Sequence, residues 1–408
     1  MKRAQRILAA LAALTLAAAI WLPCVHLFFA RPASAFYVKE GLSPKARALA
    51  ARHMQLWTDP QSRQLELDRM RFSNAEWDFM GRSYLVWALA NMGLREPSSK
   101  PACLQTMDRI IDETLQLERQ KGIYFFLMPY AKDRPYVVQP ARSLFLDGEI
   151  ALMLASRCVL QEKPEYESAL TRRVNLIVAG LRRSPHLALE SYPDECWTFD
   201  HVVALAAIRM ADYLDGRDDT VLIRDWVAMA RNKLVHPASG LLVSSFTTDG
   251  SPVIGPEGSS LWMVAHCLQL VDPGLARDQY DRARRQLGGS TLGFSYAREW
   301  PDSWKGPADI DSGPIIPFLD ISAGSSGMAF IGASAFGDEP FLAALNATLD
   351  FAGFPARKKG ALKYCASNQV GDAALLYAAT LGPIWEKVKE GRYAKVEVMS
   401  SSLVSEAR

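Results

Sequence analysis

Val202-Val203-Ala204-Leu205-Ala206-Ala207-Ile208-Arg209-Met210 is followed a few residues later by Leu214-Asp215-Gly216-Arg217, and a second helical pattern runs over 219–234. A helix made almost wholly of small and apolar residues is covered on all sides. A four-residue turn containing Asp-Gly leaves its successor no course but antiparallel. The local unit is therefore an inner helix joined tightly to an outer one.

The same unit recurs along the chain. Apolar residues at helical spacing, as in Trp77, Met80, Tyr84, Leu85, Ala88 and Leu89, predict helices near 44–57, 75–93, 102–120, 141–160, 164–182, 197–214, 219–234, 258–271, 274–287, 322–336, 339–352 and 369–382. Short connections at Gln161 to Pro164, Val271-Asp272-Pro273 and Gly337-Asp338-Glu339-Pro340 alternate with long ones near 121–140, 183–196, 235–257, 288–321 and 353–368. Antiparallel neighbours then send every long loop to one end, which marks a closed ring of helix pairs. The fold expected is all-α, an (α/α)6 barrel with inner helices starting near 75, 141, 197, 258, 322 and 369. One β-hairpin is expected over its mouth, from Leu241-Leu242-Val243-Ser244-Ser245-Phe246 through Thr248-Asp249-Gly250-Ser251.

The 408 residues, with 49% hydrophobic and 22% charged side chains, suit a large buried core. A net charge of +2 leaves no electrostatic footprint for nucleic acid. Lys2, Arg3 and Arg6 precede an uncharged apolar run from Leu8 to Ala30, long enough to cross a bilayer. The basic flank predicts a cytoplasmic start and an extracytoplasmic or periplasmic body, as a single-pass anchor, or a secreted protein if Ala33-Ser34-Ala35 is cut. Residues 1–35 thus form an anchor or signal, 36–390 the barrel domain and 391–408 a carboxyl-terminal tail. Cys24 lies in the exported segment, and Cys103, Cys158, Cys196, Cys267 and Cys365 are too scattered for a zinc site or a dense disulfide framework.

Inner-helix amino termini point unpaired N–H groups into the funnel, so chemistry is sought there. Acidic clusters occur at Asn74-Ala75-Glu76, Asp147-Gly148-Glu149, Asp194-Glu195-Cys196-Trp197 with Asp200 and His201, Glu257-Gly258-Ser259-Ser260 and Asp309-Ile310-Asp311-Ser312-Gly313-Pro314. The first four also read as ordinary helix capping, whereas Asp309 to Pro314 begins with two acids, ends in Gly-Pro and does not itself start the helix that follows, which favours function there. Tyr192, Trp197, Trp262, Trp300 and Trp304 are candidate walls. His201 adjoins Asp200 in sequence but points elsewhere on a helix, and His266 reads as a core residue. No His-x-x-x-His, phosphate loop or Gly-x-Ser-x-Gly is present, so neither metal nor cofactor is expected.

From Arg71 to Gly353 the chain resembles the linalool dehydratase-isomerase family of exported (α/α)6 barrels. The resemblance is carried by Asp147-Gly148-Glu149-Ile150-Ala151-Leu152-Met153, Ser191-Tyr192-Pro193-Asp194-Glu195, Ser260-Leu261-Trp262 and the stretch from Asp309 to Gly324. That family acts on a terpene alcohol with two cysteines, a histidine and an aspartate. By these motifs the histidine position falls on Glu149, one cysteine near Ser191 and the other on Asp200, and Asp59 is a candidate for the aspartate. The resemblance implies an acid–base site in the same funnel with carboxylates in place of sulfur and imidazole.

Glu149, Asp200, Asp194 and Asp311 are accordingly the catalytic candidates, and Ser191, Tyr192, Trp197, Trp262, Trp300 and Asp309 the substrate-binding ones. Convergent carboxylates raise one another's pKa and separate into an acid and a base. Three readings stay open: dehydration or isomerisation of a hydroxylated, partly apolar small molecule; hydrolysis or lysis of a glycan by paired carboxylates; and a membrane-tethered scaffold or ligand carrier whose acids are only caps.

Overall fold

The computed structural model describes residues 2–308 and 312–391. In chain order the helices are α1 (Lys2–Trp21), α2 (Pro44–Thr58), α3 (Pro60–Ser73), α4 (Ala75–Arg95), α5 (Lys100–Lys121), α6 (Leu144–Leu160), α7 (Pro164–Arg183), α8 (Thr198–Asp215), α9 (Thr220–Lys233), α10 (Gly258–Val271), α11 (Pro273–Gln286), α12 (Ala323–Phe336), α13 (Glu339–Ala352) and α14 (Gln369–Thr380), with a further helical stretch at 383–391. Local chemistry sets their ends. Ser43, Asn74, Ser143, Asp272, Ser322 and Asn368 each accept a backbone N–H from the first turn of the helix that follows. Proline occupies the first turn of α2, α3, α7 and α11, where its missing N–H costs nothing. Gly216 and Gly337 end α8 and α12 with φ of 79° and 69°, a left-handed conformation that glycine adopts without strain.

The inner helices α4, α6, α8, α10, α12 and α14 each pack on the next, and α14 packs on α4, closing the ring. Every residue of α6 is buried, as expected of a helix enclosed on all sides. Outer helices bury one stripe only: α11 buries Leu275, Ala276, Gln279, Tyr280 and Ala283 and leaves its other face to solvent. α5, α7, α11 and α13 lie on the inner helices that precede them, and α2 lies on α14. The protein is an (α/α)6 barrel, as its loop rhythm predicts.

The stretch at 383–391 closes the floor. Trp385 stacks on His266 at 4.6 Å and donates its indole N–H to the His266 carbonyl at 3.3 Å, while the Ile384 N–H bonds Asn91 Oδ1 at 3.1 Å. The tail at 391–408 lies outside the described residues, save for Gly391 itself.

Two expectations need correction. α3 was not anticipated, because it buries only Leu67 and Met70 and so carries no apolar stripe. The expected mouth hairpin is present as β2 (Ser245–Phe246) and β3 (Pro252–Ile254), but β1 (Cys196–Trp197) adds a third strand beside β2. Three more hairpins accompany it: β4 (Gly288–Thr291) with β5 (Phe294–Ala297), β6 (Ile315–Ile316) with β7 (Ile321–Ser322), and β8 (Pro355–Lys358) with β9 (Ala361–Tyr364). All of them sit in the loops that join an outer helix to the next inner one.

Candidate active site

Glu149 lies on the second turn of α6, fully buried. Ser83, projecting from α4, donates its hydroxyl to Oε2 at 2.6 Å, while Oε1 is buried without a hydrogen-bond partner. Burial pushes the Glu149 carboxyl well above its ordinary range, the Ser83 bond opposes this, and Asp200 and Glu76 add repulsion. Burial thus favours the neutral form of the Glu149 carboxyl.

Asp200, in the first turn of α8, is also buried. Desolvation raises its pKa to about 7. The Ser191 hydroxyl stands beside it without the alignment of a full hydrogen bond and offsets part of the rise. Tyr84 from α4 and Cys267 from α10 are buried beside Glu149. Their pKa values are raised first by burial, and both feel the Glu149 charge. The Tyr84 hydroxyl points at the Met328 sulfur, 3.6 Å away on α12. Five inner helices thus contribute to one buried cluster around the two carboxyls.

The three positions singled out by family resemblance, Glu149, Ser191 and Asp200, are brought together here. Other candidates are not. Asp194 has a left-handed backbone (φ 57°) and its side chain is 42% exposed, 4.0 Å from Arg134. It shapes a turn on the rim and does not join the pair. Trp262 points outward, not into the lumen: its ring lies 6.1 Å from both Tyr280 and Phe341, and its N–H bonds Ser325 Oγ at 3.1 Å. Asp59 caps α3 by accepting from the backbone of Gln61 and Ser62. Asp309 and Asp311 lie outside the described residues.

Tyr192 is buried, donates to Glu76, accepts the Met128 N–H at 2.9 Å and stacks on Tyr130 at 4.8 Å. It thereby ties the 122–143 loop to α4. Glu190 holds the same loop, accepting from the N–H groups of Val137, Val138 and Asp194 at 2.9, 2.7 and 2.6 Å. Trp197 and Trp300 are half-buried, and each has an indole N–H buried without an acceptor. His201 turns away from Asp200: its Nδ1 meets the Trp197 carbonyl at 2.7 Å and its Nε2 accepts the Leu189 N–H at 3.0 Å, which fixes a neutral tautomer. His266 meets the Tyr377 hydroxyl at 2.7 Å in the core. Burial raises the Cys196 thiol pKa, and neighbouring Glu190 and Asp194 raise it further, against a role as nucleophile.

Sequence reasoning missed Ser83, Tyr84 and Cys267, which sit inside helices apolar on every side. It also missed Glu299, whose carboxylate accepts from Ser259 and Ser322 at the starts of α10 and α12. No group of three or more metal-ligating side chains occurs among the described residues.

A groove of about 480 Å³ opens to solvent near the start of α4, lined by Arg71, Phe72, Asn74, Tyr124, Phe125 and Met128 among others, and not by Glu149 or Asp200. Met128 and Asn74 belong to the segments that hold Tyr192 and Glu76.

The chain matches no family model and no curated protein sequence. Among solved structures it is similar to the GH76 alpha-mannanase of Bacteroides thetaiotaomicron, at 11% identity over 78% of this chain and 86% of that one, with a TM-score of 0.45. Nothing in these comparisons is specific to linalool dehydratase-isomerases.

Proposed function

We propose that the protein is an extracytoplasmic, membrane-anchored enzyme that breaks a carbon–oxygen bond of a hydroxylated substrate by acid–base catalysis, with Glu149 as acid and Asp200 as base. The observation that carries this reading is the buried Glu149–Asp200 pair with an unpartnered Glu149 Oε1. Two carboxyls whose environments raise their pKa values by different amounts divide the roles of donor and acceptor. Glu149 gives its proton to the departing oxygen as the C–O bond breaks. Asp200, near half ionised at pH 7, takes a proton from the attacking water or from the neighbouring carbon.

With water as nucleophile the reaction is glycoside hydrolysis, and the groove near the start of α4 favours it. Tyr124 and Phe72 supply faces for sugar rings, and Arg71, Lys121 and Lys132 supply donors. With a carbon-bound proton removed, the product is an alkene, as in dehydration of an alcohol. The enclosed, partly apolar wall of Tyr84, Met328 and Cys267 favours that second reading.

The test is turnover by the full-length protein with two panels, oligosaccharides and terpene alcohols, for wild type and Glu149→Gln. Turnover of one panel, lost in the variant, supports the assignment and chooses between the readings. A folded variant that retains full turnover refutes it, and no activity on either panel returns the acids to a capping role in a scaffold or carrier.

A further inference from the structure

We infer that the mouth end of the barrel is seated on the lipid bilayer through one sector, made of the β6–β7 tip, the end of α13 and the loop after it. The inference rests on reading the amino-terminal helix as a membrane anchor and is independent of the chemistry assigned to Glu149 and Asp200.

The span Arg3–Phe28 is apolar and wholly unburied by the protein. Its junction with the barrel is fixed by aromatic packing. Phe29, the next residue, meets Phe351 at 5.2 Å and Phe294 at 6.3 Å; His26 meets Phe294 at 6.1 Å; and Phe294 stacks on Phe351 at 4.9 Å. Phe351 lies on the last turn of α13 and Phe294 on β5, both in the layer where outer helices pass to inner ones. A membrane span whose last residues already join this cluster leaves no linker to hold the barrel away from the bilayer.

The same sector presents apolar side chains to solvent. β5 packs on β7, and the β6–β7 tip carries Ile316, Phe318 and Leu319, with Phe318 fully exposed. Phe354, just past α13, is exposed as well. A cluster of this kind at a hairpin tip marks an interaction surface, and its continuity with the apolar span identifies lipid as the occupant. Positive charge accompanies it: Arg31 and Arg357 both bear on Lys45, and Lys358 and Lys359 are exposed at the β8–β9 tip. Basic groups beside an apolar surface suit anionic headgroups. The mouth end of the barrel then faces the bilayer surface.

The test uses the full chain in vesicles of phosphatidylcholine and phosphatidylglycerol. Cys24→Ser and Cys365→Ser leave only the buried thiols of Cys103, Cys158, Cys196 and Cys267. A fluorophore is then attached through Phe318→Cys at the tip or Val221→Cys on the first turn of α9, at the opposite end. Lipid-borne nitroxide should remove most of the fluorescence at 318 and little at 221, with the reverse order for aqueous iodide. A chain that floats with the vesicles while both labels respond to iodide alone overturns the seating and leaves the anchor intact. A chain that does not float overturns both.

Discussion

The carbonyl oxygen of Asp200 lies 3.3 Å from where a Cβ on Gly148 would stand, and the Ala204 methyl lies 3.2 Å from it. The missing side chain lets α6 and α8 approach closely one residue before Glu149, which brings the two carboxyls near enough to repel each other. Gly148→Val should force the helices apart at a cost of about 1–3 kcal/mol. The expected result is a lower denaturant midpoint together with loss of turnover, and Gly148→Ala should show a smaller effect of the same kind. Unchanged stability in the valine variant would show that the approach is not tight.

Asp200 ties stability to pH. Its carboxyl titrates at about 7 in the folded protein against 3.8 in a free chain, so between those values the native state holds more protons than the unfolded one. Stability from this group is full below pH 3.8 and declines as pH rises through 7. Asp200→Asn should therefore gain on wild type from pH 5 to pH 8, by a few kcal/mol at most. Urea midpoints of the pair at both pH values measure this, and a constant difference would place Asp200 in a wetter setting than its burial indicates.

His201 has the opposite sign. Held neutral by burial, it titrates at about 4 when folded against 6.5 when free, so its contribution is complete above 6.5 and is lost as pH falls towards 4. Protonation would also remove the acceptor for the Leu189 N–H. The excess stability of wild type over His201→Gln should shrink on acidification through this window. Because the windows of Asp200 and His201 overlap, each is read as the difference from its own variant. An excess that grew on acidification would contradict the neutral tautomer.

Trp262 should matter for folding and not for chemistry. Trp262→Ala removes a ring wedged between Tyr280 and Phe341 and should cost about 3–5 kcal/mol. Trp262→Phe, which keeps most of the packing, should turn over substrate normally per folded molecule. A variant with normal stability and a raised KM would return Trp262 to the substrate wall.

The barrel was legible because its inner helices are apolar on every face and its loops alternate in length, features that survive without any side-chain detail. Glu149 and Asp200 were visible as candidates because they are acids near the starts of such helices, at positions the family resemblance singles out. Ser83, Tyr84 and Cys267 were not, since periodicity cannot tell which face of a uniformly buried helix looks into the lumen. The strands β1, β2, β6 and β7 have two residues each, too short for alternation to register. Asp194 misled because an acid before a helix looks the same whether it faces the funnel or turns the chain outward at a positive φ.

The ring has a seam. α4 and α14 are its first and last inner helices, joined by the packing of Trp87 on Tyr377 at 5.7 Å, and beneath them Ile384 meets Asn91 across 293 positions of chain. Contacts so distant in sequence form late, because loop closure must come first. As the polypeptide emerges, α4 waits with an uncovered apolar flank until nearly the whole domain has followed. The chain thus spends its synthesis as an open crescent, and completes its circle only when the carboxyl-terminal helices arrive.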